Sequence, residues 1–341
     1  MKGPAASRSM TVDSHRALGA RGPKLSPIGL GCMGMSDFYG APGSRDDARS
    51  IDTIHAALEA GVSLFNTGDL YGSGHNEMLL GRALAGRREQ ALISVKTGIL
   101  RGPGGQFLGV DARPAAIKNF CAMSLRRLGV EVIDIYQAAR ADPAVPIEDT
   151  IGAIADLIRE GKVRHVGVSE LNAVQLRRAH AVHPVAALEI EYSLGSRGIE
   201  DEILPVAREL GISIVAYGAL SRGLLTGAVQ GGFDARDFRA HLPRFQGENL
   251  QHNLVKVQRL QAMAAGLGYS AAQLAIAWVL DRGWDIVALV GTTRRERLLE
   301  NLGALRLRLG DAERQELDTV FDPGALAGTR YPAEQMGSVA R

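Results

Sequence analysis

Ser63-Leu64-Phe65-Asn66-Thr67-Gly68-Asp69-Leu70-Tyr71-Gly72-Ser73-Gly74-His75-Asn76-Glu77 is the stretch on which the reading of this chain turns. Its first residues are the end of a buried strand. The glycines then punctuate a turn that carries a tyrosine, and a helix begins by Glu77. The next apolar run, Ala91-Leu92-Ile93-Ser94-Val95, ends directly on Lys96. In a parallel barrel the carboxyl ends of neighbouring strands open onto one mouth, which would set Tyr71 and Lys96 facing each other. A phenol beside an ammonium is expected to have a lowered pKa, because the cation favours phenolate. That pair is the candidate for the chemistry.

Working outward, the same strand-then-helix unit recurs. Strands are predicted over 27–31, 62–65, 92–95, 132–136, 163–168, 185–190, 212–216 and 286–290. Helices are predicted over 46–60, 77–84, 114–128, 147–160, 172–182, 199–210, 254–265, 271–281 and 294–302, several of them stopped by a glycine. The opening strand could equally be a plug over the barrel floor. Alternating units of this length imply a parallel sheet, and about eight of them close into a (β/α)8 TIM barrel. We expect that barrel over 23–322, with a long connection after the seventh strand (218–253) and one further helix over 311–321. Residues 1–22 are expected to be a loose tail, and 323–341 a second tail near the mouth.

Composition narrows the function. The chain is 46% apolar with few aromatics, and its formal charge of +2 gives no basic field for nucleic acid or an acidic membrane surface. Cys32 and Cys121 cannot build a disulfide framework and lack zinc spacing. A reducing compartment follows as the expectation. The first 22 residues hold no apolar run that would act as a signal or span. A cytoplasmic protein is expected.

The later strand ends supply polar groups to the same mouth: Ser169-Glu170, Glu189 and Glu191, Tyr217, and Thr292-Thr293-Arg294-Arg295. Gly291, followed by hydroxyls, arginines and a helix start, describes an anion site. Gly29-Leu30-Gly31-Cys32-Met33-Gly34 matches G-x-G-x-x-G, but a dinucleotide fingerprint needs a helix on its third glycine. Pro42 and two further glycines before position 44 argue against one. No histidine ends a strand close to Tyr71, and no metal-ligand or Ser-His-Asp arrangement stands out. Lys96 taken alone could be a Schiff-base lysine, as in barrel aldolases.

Several motifs together resemble an aldo-keto reductase. They are Leu30-Gly31-Cys32-Met33-Gly34-Met35, Asn66-Thr67-Gly68-Asp69-Leu70-Tyr71-Gly72, Asn76-Glu77, the run from Gly161 to Ser169, and Gly291-Thr292 with Glu300-Asn301. The resemblance covers roughly 25–321. It extends to the bacterial and plant members that share Cys32-Met33-Gly34-Met35 and the loop Pro243-Arg244-Phe245-Gln246-Gly247-Glu248-Asn249. It implies hydride transfer from NADPH to an aldehyde or ketone by a tetrad of Asp, Tyr, Lys and His. Tyr71 takes the place of the tyrosine, the general acid, and Lys96 that of the lysine. Asn66 stands at the aspartate position and Ala139 at the histidine position.

These departures carry expectations of their own. Without a carboxylate at position 66, Lys96 should ionise less readily. Losing the histidine removes a donor to the carbonyl oxygen, a change that typically costs on the order of a hundredfold in rate. For the cofactor, the resemblance assigns Tyr217 to stack on nicotinamide. Ser169, Glu170 and Glu189 fall at the positions that hold its carboxamide, although a carboxylate can only accept there. Gly218, Leu220, Arg222 and Gly223 fall at the pyrophosphate, and Gly31 and Met33 also lie at the cofactor. Thr292, Arg294 and Arg297 fall at a 2′-phosphate, with Glu300 and Asn301 at the adenine. A small-molecule carbonyl is the implied partner, acting on a monomer or homo-oligomer. The alternative is an NADPH-binding protein with little turnover, serving as a sensor or regulatory subunit.

Overall fold

The computed structural model describes residues 15–40 and 44–340. The proposed tail over 1–14 lies outside the described residues. From residue 15 on, the tail expectation is corrected. β1 (Arg16–Ala17) pairs antiparallel with β2 (Lys24–Leu25) as a hairpin under the barrel. Leu18 and Leu25, both fully buried, pack on Leu64, Ile135, Ala187 and Val287. Arg16 donates to Leu280 O at 3.0 Å and to the carbonyls of Gly283 and Ile286. The hairpin, and not the opening strand, is the plug.

That opening strand, β3 (Ile28–Gly31), belongs to the barrel wall. It is followed by α1 (Asp47–Glu59), β4 (Leu64–Gly68), α2 (His75–Leu84) and β5 (Leu92–Thr97). A short antiparallel hairpin then intervenes, β6 (Ile99–Arg101) with β7 (Phe107–Val110), turning through Gly102 to Gly105. α3 (Pro114–Leu128), β8 (Ile133–Ala138), α4 (Ile147–Arg159), β9 (Val163–Ser169), α5 (Ala173–Val182), β10 (Val185–Glu191), α6 (Ile203–Glu209) and β11 (Ser213–Tyr217) continue the repeat. The chain closes with α7 (Gly247–Gly266), α8 (Ala271–Asp281), β12 (Ile286–Gly291), α9 (Arg295–Leu302) and the additional α10 (Asp311–Val320). Eight parallel strands, β3-β4-β5-β8-β9-β10-β11-β12, form the closed barrel.

Local chemistry fixes the element ends. Pro114 opens α3, where its missing N–H costs nothing, and Gly129 closes it in the left-handed region at φ 66°. Asn172 with Gln175, and Ser270 with Gln273, form reciprocal capping boxes at α5 and α8. Ile147, Ile151, Ile154 and Leu157 make one buried face on α4. The strands are buried on both sides, as parallel sheets require; all six residues of β8 are buried. Among the described residues no single helix is long and apolar enough to cross a membrane.

Register brings the polar strand ends to one level. Gly68 lies opposite Lys96, Lys96 opposite Gln137, Glu189 opposite Ser169, and Glu191 opposite Tyr217.

Candidate active site

The turn after β4 is wound so that Tyr71 points into the mouth. Gly72, Ser73 and Gly74 all have positive φ (58°, 52° and 93°), a run that glycine at two of three positions makes accessible. A Cβ on Gly72 would sit 3.0 Å from Ser36 Cβ and 3.1 Å from His75 Cβ, so the turn also packs too closely for a side chain. Asn76 ties it to the first-strand loop, donating to Cys32 O at 2.8 Å and Ser36 Oγ at 2.7 Å. His75 is structural, held by Ser36 Oγ at 2.8 Å and by Asp47.

Tyr71 is only 4% exposed. The Lys96 ammonium lies 5.7 Å from the centroid of its ring and 5.9 Å from that of Tyr217, so it sits between the two phenols. The expected lowering of the Tyr71 pKa is corrected. Burial outweighs the nearby Lys96 and pushes the phenol up to about 12, with Glu189 adding to the rise and Arg140 opposing it. Tyr71 is therefore a firmly protonated donor.

The expectation for Lys96 is corrected as well. Burial works against its charge, yet Glu189 and Tyr71 override that and its pKa is raised. Glu189 forms an ion pair with it across the barrel. The Lys96 ammonium also donates to Asn66 Oδ1 at 3.0 Å, while Asn66 Nδ2 donates to Glu189 Oε2 at 2.7 Å. Gln137 Nε2 donates to the same oxygen at 2.5 Å. Gly167 leaves room for this arrangement: a Cβ there would lie 3.0 Å from Gln137 Oε1. Both oxygens of Glu189 are thus engaged by protein donors, and it is not the open acceptor that the sequence suggested for a nicotinamide carboxamide.

Glu170 is likewise committed. It accepts from Tyr217 Oη at 2.9 Å, from the Glu191 amide at 3.0 Å and from the Ala340 amide at 3.0 Å, and it pairs with Arg330. Glu191, fully buried, gathers Arg222 (3.3 Å), Arg244 (3.5 Å) and Arg330 (3.8 Å). Burial alone would raise its pKa, but these arginines lower it. Ser169 Oγ and Gln137 Oε1 are among the buried side-chain atoms with no hydrogen-bond partner, as is Asp69 Oδ1.

Ala139 is buried and presents only a backbone bond, its amide donating to Thr97 O at 2.8 Å. The next residue, Arg140, donates to Ala139 O at 2.6 Å and reaches Tyr331 Oη at 3.5 Å. One group escaped the sequence reading altogether. Asp69 accepts from Thr97 Oγ1 at 2.6 Å, and burial pushes its carboxyl up to about 7. An acid inside the strand-end motif was the available signal.

The remaining candidates lie at or beyond the ends of β11, β12 and β3. Gly218, Leu220, Arg222 and Gly223 lie on the turn after β11, with Ser221, Arg222 and Gly223 in the left-handed region. Arg222 is packed over the Tyr331 ring at 4.7 Å. A cavity of about 260 Å³ opens beside Gly223, Phe233 and Arg239. Thr292, Arg294, Arg297, Glu300 and Asn301 follow β12, whose Gly291 is in register with Gly31; Met33 lies just beyond in a single 3-10 turn. Apart from that 3-10 turn, no α-helix follows the G-x-G-x-x-G run before α1 among the described residues. Thr292 Oγ1 accepts from the Arg294 amide at 3.1 Å, and Arg297 pairs with Glu300 at 2.9 Å. The Arg294 guanidinium is exposed and makes no ion pair among the described residues.

Comparison with known proteins agrees with the barrel fold. The sequence profile of the aldo/keto reductase family matches residues 27–322. A probable aldo-keto reductase 1 from Glycine max is 41% identical over 317 residues, covering 92% of this chain and 90% of that protein. A glycerol dehydrogenase from Gluconobacter oxydans has a similar structure, with a TM-score of 0.81, 32% identity, and coverage of 90% of this chain and 94% of the other. An aldo-keto reductase from Bacillus halodurans, in its holo form, has a TM-score of 0.74 at 25% identity, covering 90% of this chain and 95% of its own. With the profile spanning the whole barrel, the chain belongs to the aldo/keto reductase family.

Proposed function

We propose that this protein reduces an aldehyde or ketone to an alcohol with NADPH, and that Tyr71 donates the proton. The carrying observation is the buried, protonated Tyr71 phenol beside the Lys96 ammonium at the barrel mouth. NADPH, when bound, supplies the hydride. The residues present fit that cofactor. Ser169 Oγ and Gln137 Oε1 are buried and unpartnered, and so offer a donor and an acceptor to an amide. The Tyr217 ring, 5.9 Å from the Lys96 ammonium, offers a flat face. The Gly218–Gly223 turn suits a pyrophosphate, and Thr292, Arg294 and Arg297 suit a 2′-phosphate, which rewards guanidinium forks.

The chain's own part is proton transfer and charge control. Tyr71 gives its proton to the carbonyl oxygen, and Lys96 stabilises the phenolate left behind. Ala139 supplies no donor to that oxygen, and the Arg140 guanidinium is the cation placed to take over. Loops around 35–39, the turn after β11 and the segment carrying Tyr331 border the substrate and set its class. The unpaired Cys32 and Cys121, both buried, suit a reducing cytoplasm.

The test is a fluorescence titration with NADPH, followed by a panel of aldehydes, quinones and ketones read as loss of reduced cofactor. We expect turnover of some carbonyls, and a fall of about a hundredfold to ten-thousandfold in Tyr71→Phe with NADPH binding retained. Tight NADPH binding without turnover of any carbonyl would favour the sensor reading. Unchanged turnover in Tyr71→Phe would remove Tyr71 from the acid role.

A further inference from the structure

Lys96 is 12% exposed, and a buried ammonium without a counter-charge would shed its proton. Position 66, next to it on β4, offers only an amide. The carboxylate within 4.0 Å of Lys96 among the described residues comes from the far side of the barrel, on β10, and is itself 1% exposed. Three donors converge on it from three strands: Lys96 from β5, Asn66 from β4 and Gln137 from β8. Asn66 completes a triangle, accepting from Lys96 and donating to Glu189, so its amide relays orientation between the two charges.

We infer that Glu189 is the positioning residue of the proton-transfer machinery, the counter-charge that keeps Lys96 an ammonium and holds it against Tyr71. This rests on the carbonyl-reductase reading above. The arrangement is a relocated charge: the negative end of the network sits on β10 and the neutral amide on β4. Because Asn66 Nδ2 and Glu189 Oε2 are 2.7 Å apart, exchanging the two side-chain chemistries would move the charge by one hydrogen bond and keep its distance to Lys96 nearly constant. The other groups facing this pair are the Tyr71 and Tyr217 phenols that flank the ammonium, with Arg140 acting on Tyr71. None of these supplies a carboxylate to Lys96.

The experiment compares wild type with Glu189→Gln, Asn66→Asp and the double variant Asn66→Asp/Glu189→Gln. In Glu189→Gln, Lys96 should lose its proton at lower pH. The expected result is a kcat reduced by about tenfold or more at neutral pH, with the fall in rate at alkaline pH starting earlier and KM for the carbonyl little changed. The double variant should recover both kcat and the wild-type pH profile. A structural role or a cofactor-holding role for Glu189 would not be rescued by a carboxylate at 66. A second readout does not need turnover: pH-dependent acetylation of Lys96 by acetic anhydride, followed by mass spectrometry. Its midpoint should fall in Glu189→Gln and return in the double variant. Circular dichroism and NADPH titration verify that each variant is folded. A folded Glu189→Gln with an unmoved profile and labelling midpoint would overturn the inference, as would a folded double variant that recovers neither. Absence of turnover in wild type would instead count against the reductase reading, and the labelling midpoint would still decide the role of Glu189.

Discussion

At the floor of the barrel, Leu18 and Leu25 close over Leu64, Ile135, Ala187 and Val287, and Arg16 donates to three backbone carbonyls. At the mouth, the barrel strands carry Lys96, Glu189, Glu191 and Tyr217, with Glu170 next to them, and leave Ser169 Oγ and Gln137 Oε1 without partners. Each unsatisfied buried polar group costs about 1–3 kcal/mol. The floor is closed chiefly by apolar side chains, with Arg16 Nε buried there without a partner. The mouth shows that the fold tolerates polar groups awaiting a ligand because burial elsewhere offsets them.

The contrast can be broken from either end. Leu18→Ala removes a fully buried side chain from the floor and should cost about 2–5 kcal/mol in denaturant unfolding, with kcat and KM unchanged. A large loss of activity without loss of stability would show that the two ends are not separable. At the cofactor side, Arg294→Ala with Arg297→Ala should weaken NADPH by about tenfold or more and NADH far less, with little change in unfolding midpoint. Equal weakening of both dinucleotides would refute the 2′-phosphate assignment.

Much of the architecture was legible because the repeat is periodic and well punctuated. α3 and α8 run over the residues predicted, each bounded by residues whose chemistry says so: Pro114 and Gly129, Ser270 and Gln273. Three elements were not legible. The β1–β2 and β6–β7 hairpins are too short to carry a period. The first two turns of α7 (from Gly247) are polar, and are fixed by tertiary bonds: Asn253 Nδ2 donates to Arg244 O and Ala327 O, both at 3.0 Å. Tertiary contacts there override a weak local preference. The predicted helix over 199–210 loses its first turn, since α6 begins at Ile203.

The site was legible to the same depth. Strand ends gave Tyr71 and Lys96, because the fold places strand ends at one mouth. Spacing along the chain does not state which side chains meet across the lumen. Lys96 and Glu189 are 93 residues apart, and their pairing required the closed barrel. The raised Tyr71 pKa is not legible in sequence for a related reason: the strand ends announce the neighbouring cation, but not the depth of burial that outweighs it.

The central claim is that burial, outweighing the pull of Lys96, keeps Tyr71 protonated until it gives its proton to a carbonyl, and that Lys96 then stabilises the phenolate. The most direct measurement is the single-turnover rate of NADPH oxidation by an excess of one aldehyde, followed as a function of pH. A donor must hold its proton, so activity due to Tyr71 persists below its pKa and is lost as pH rises through it. With the phenol at about 12, the rate should stay level from about pH 7 to about pH 10. Asp69, at about 7, is the group that could imitate a lower titration, so the same series is run on Asp69→Asn. A rate that falls with a midpoint of about 9 or lower in both proteins would contradict the account.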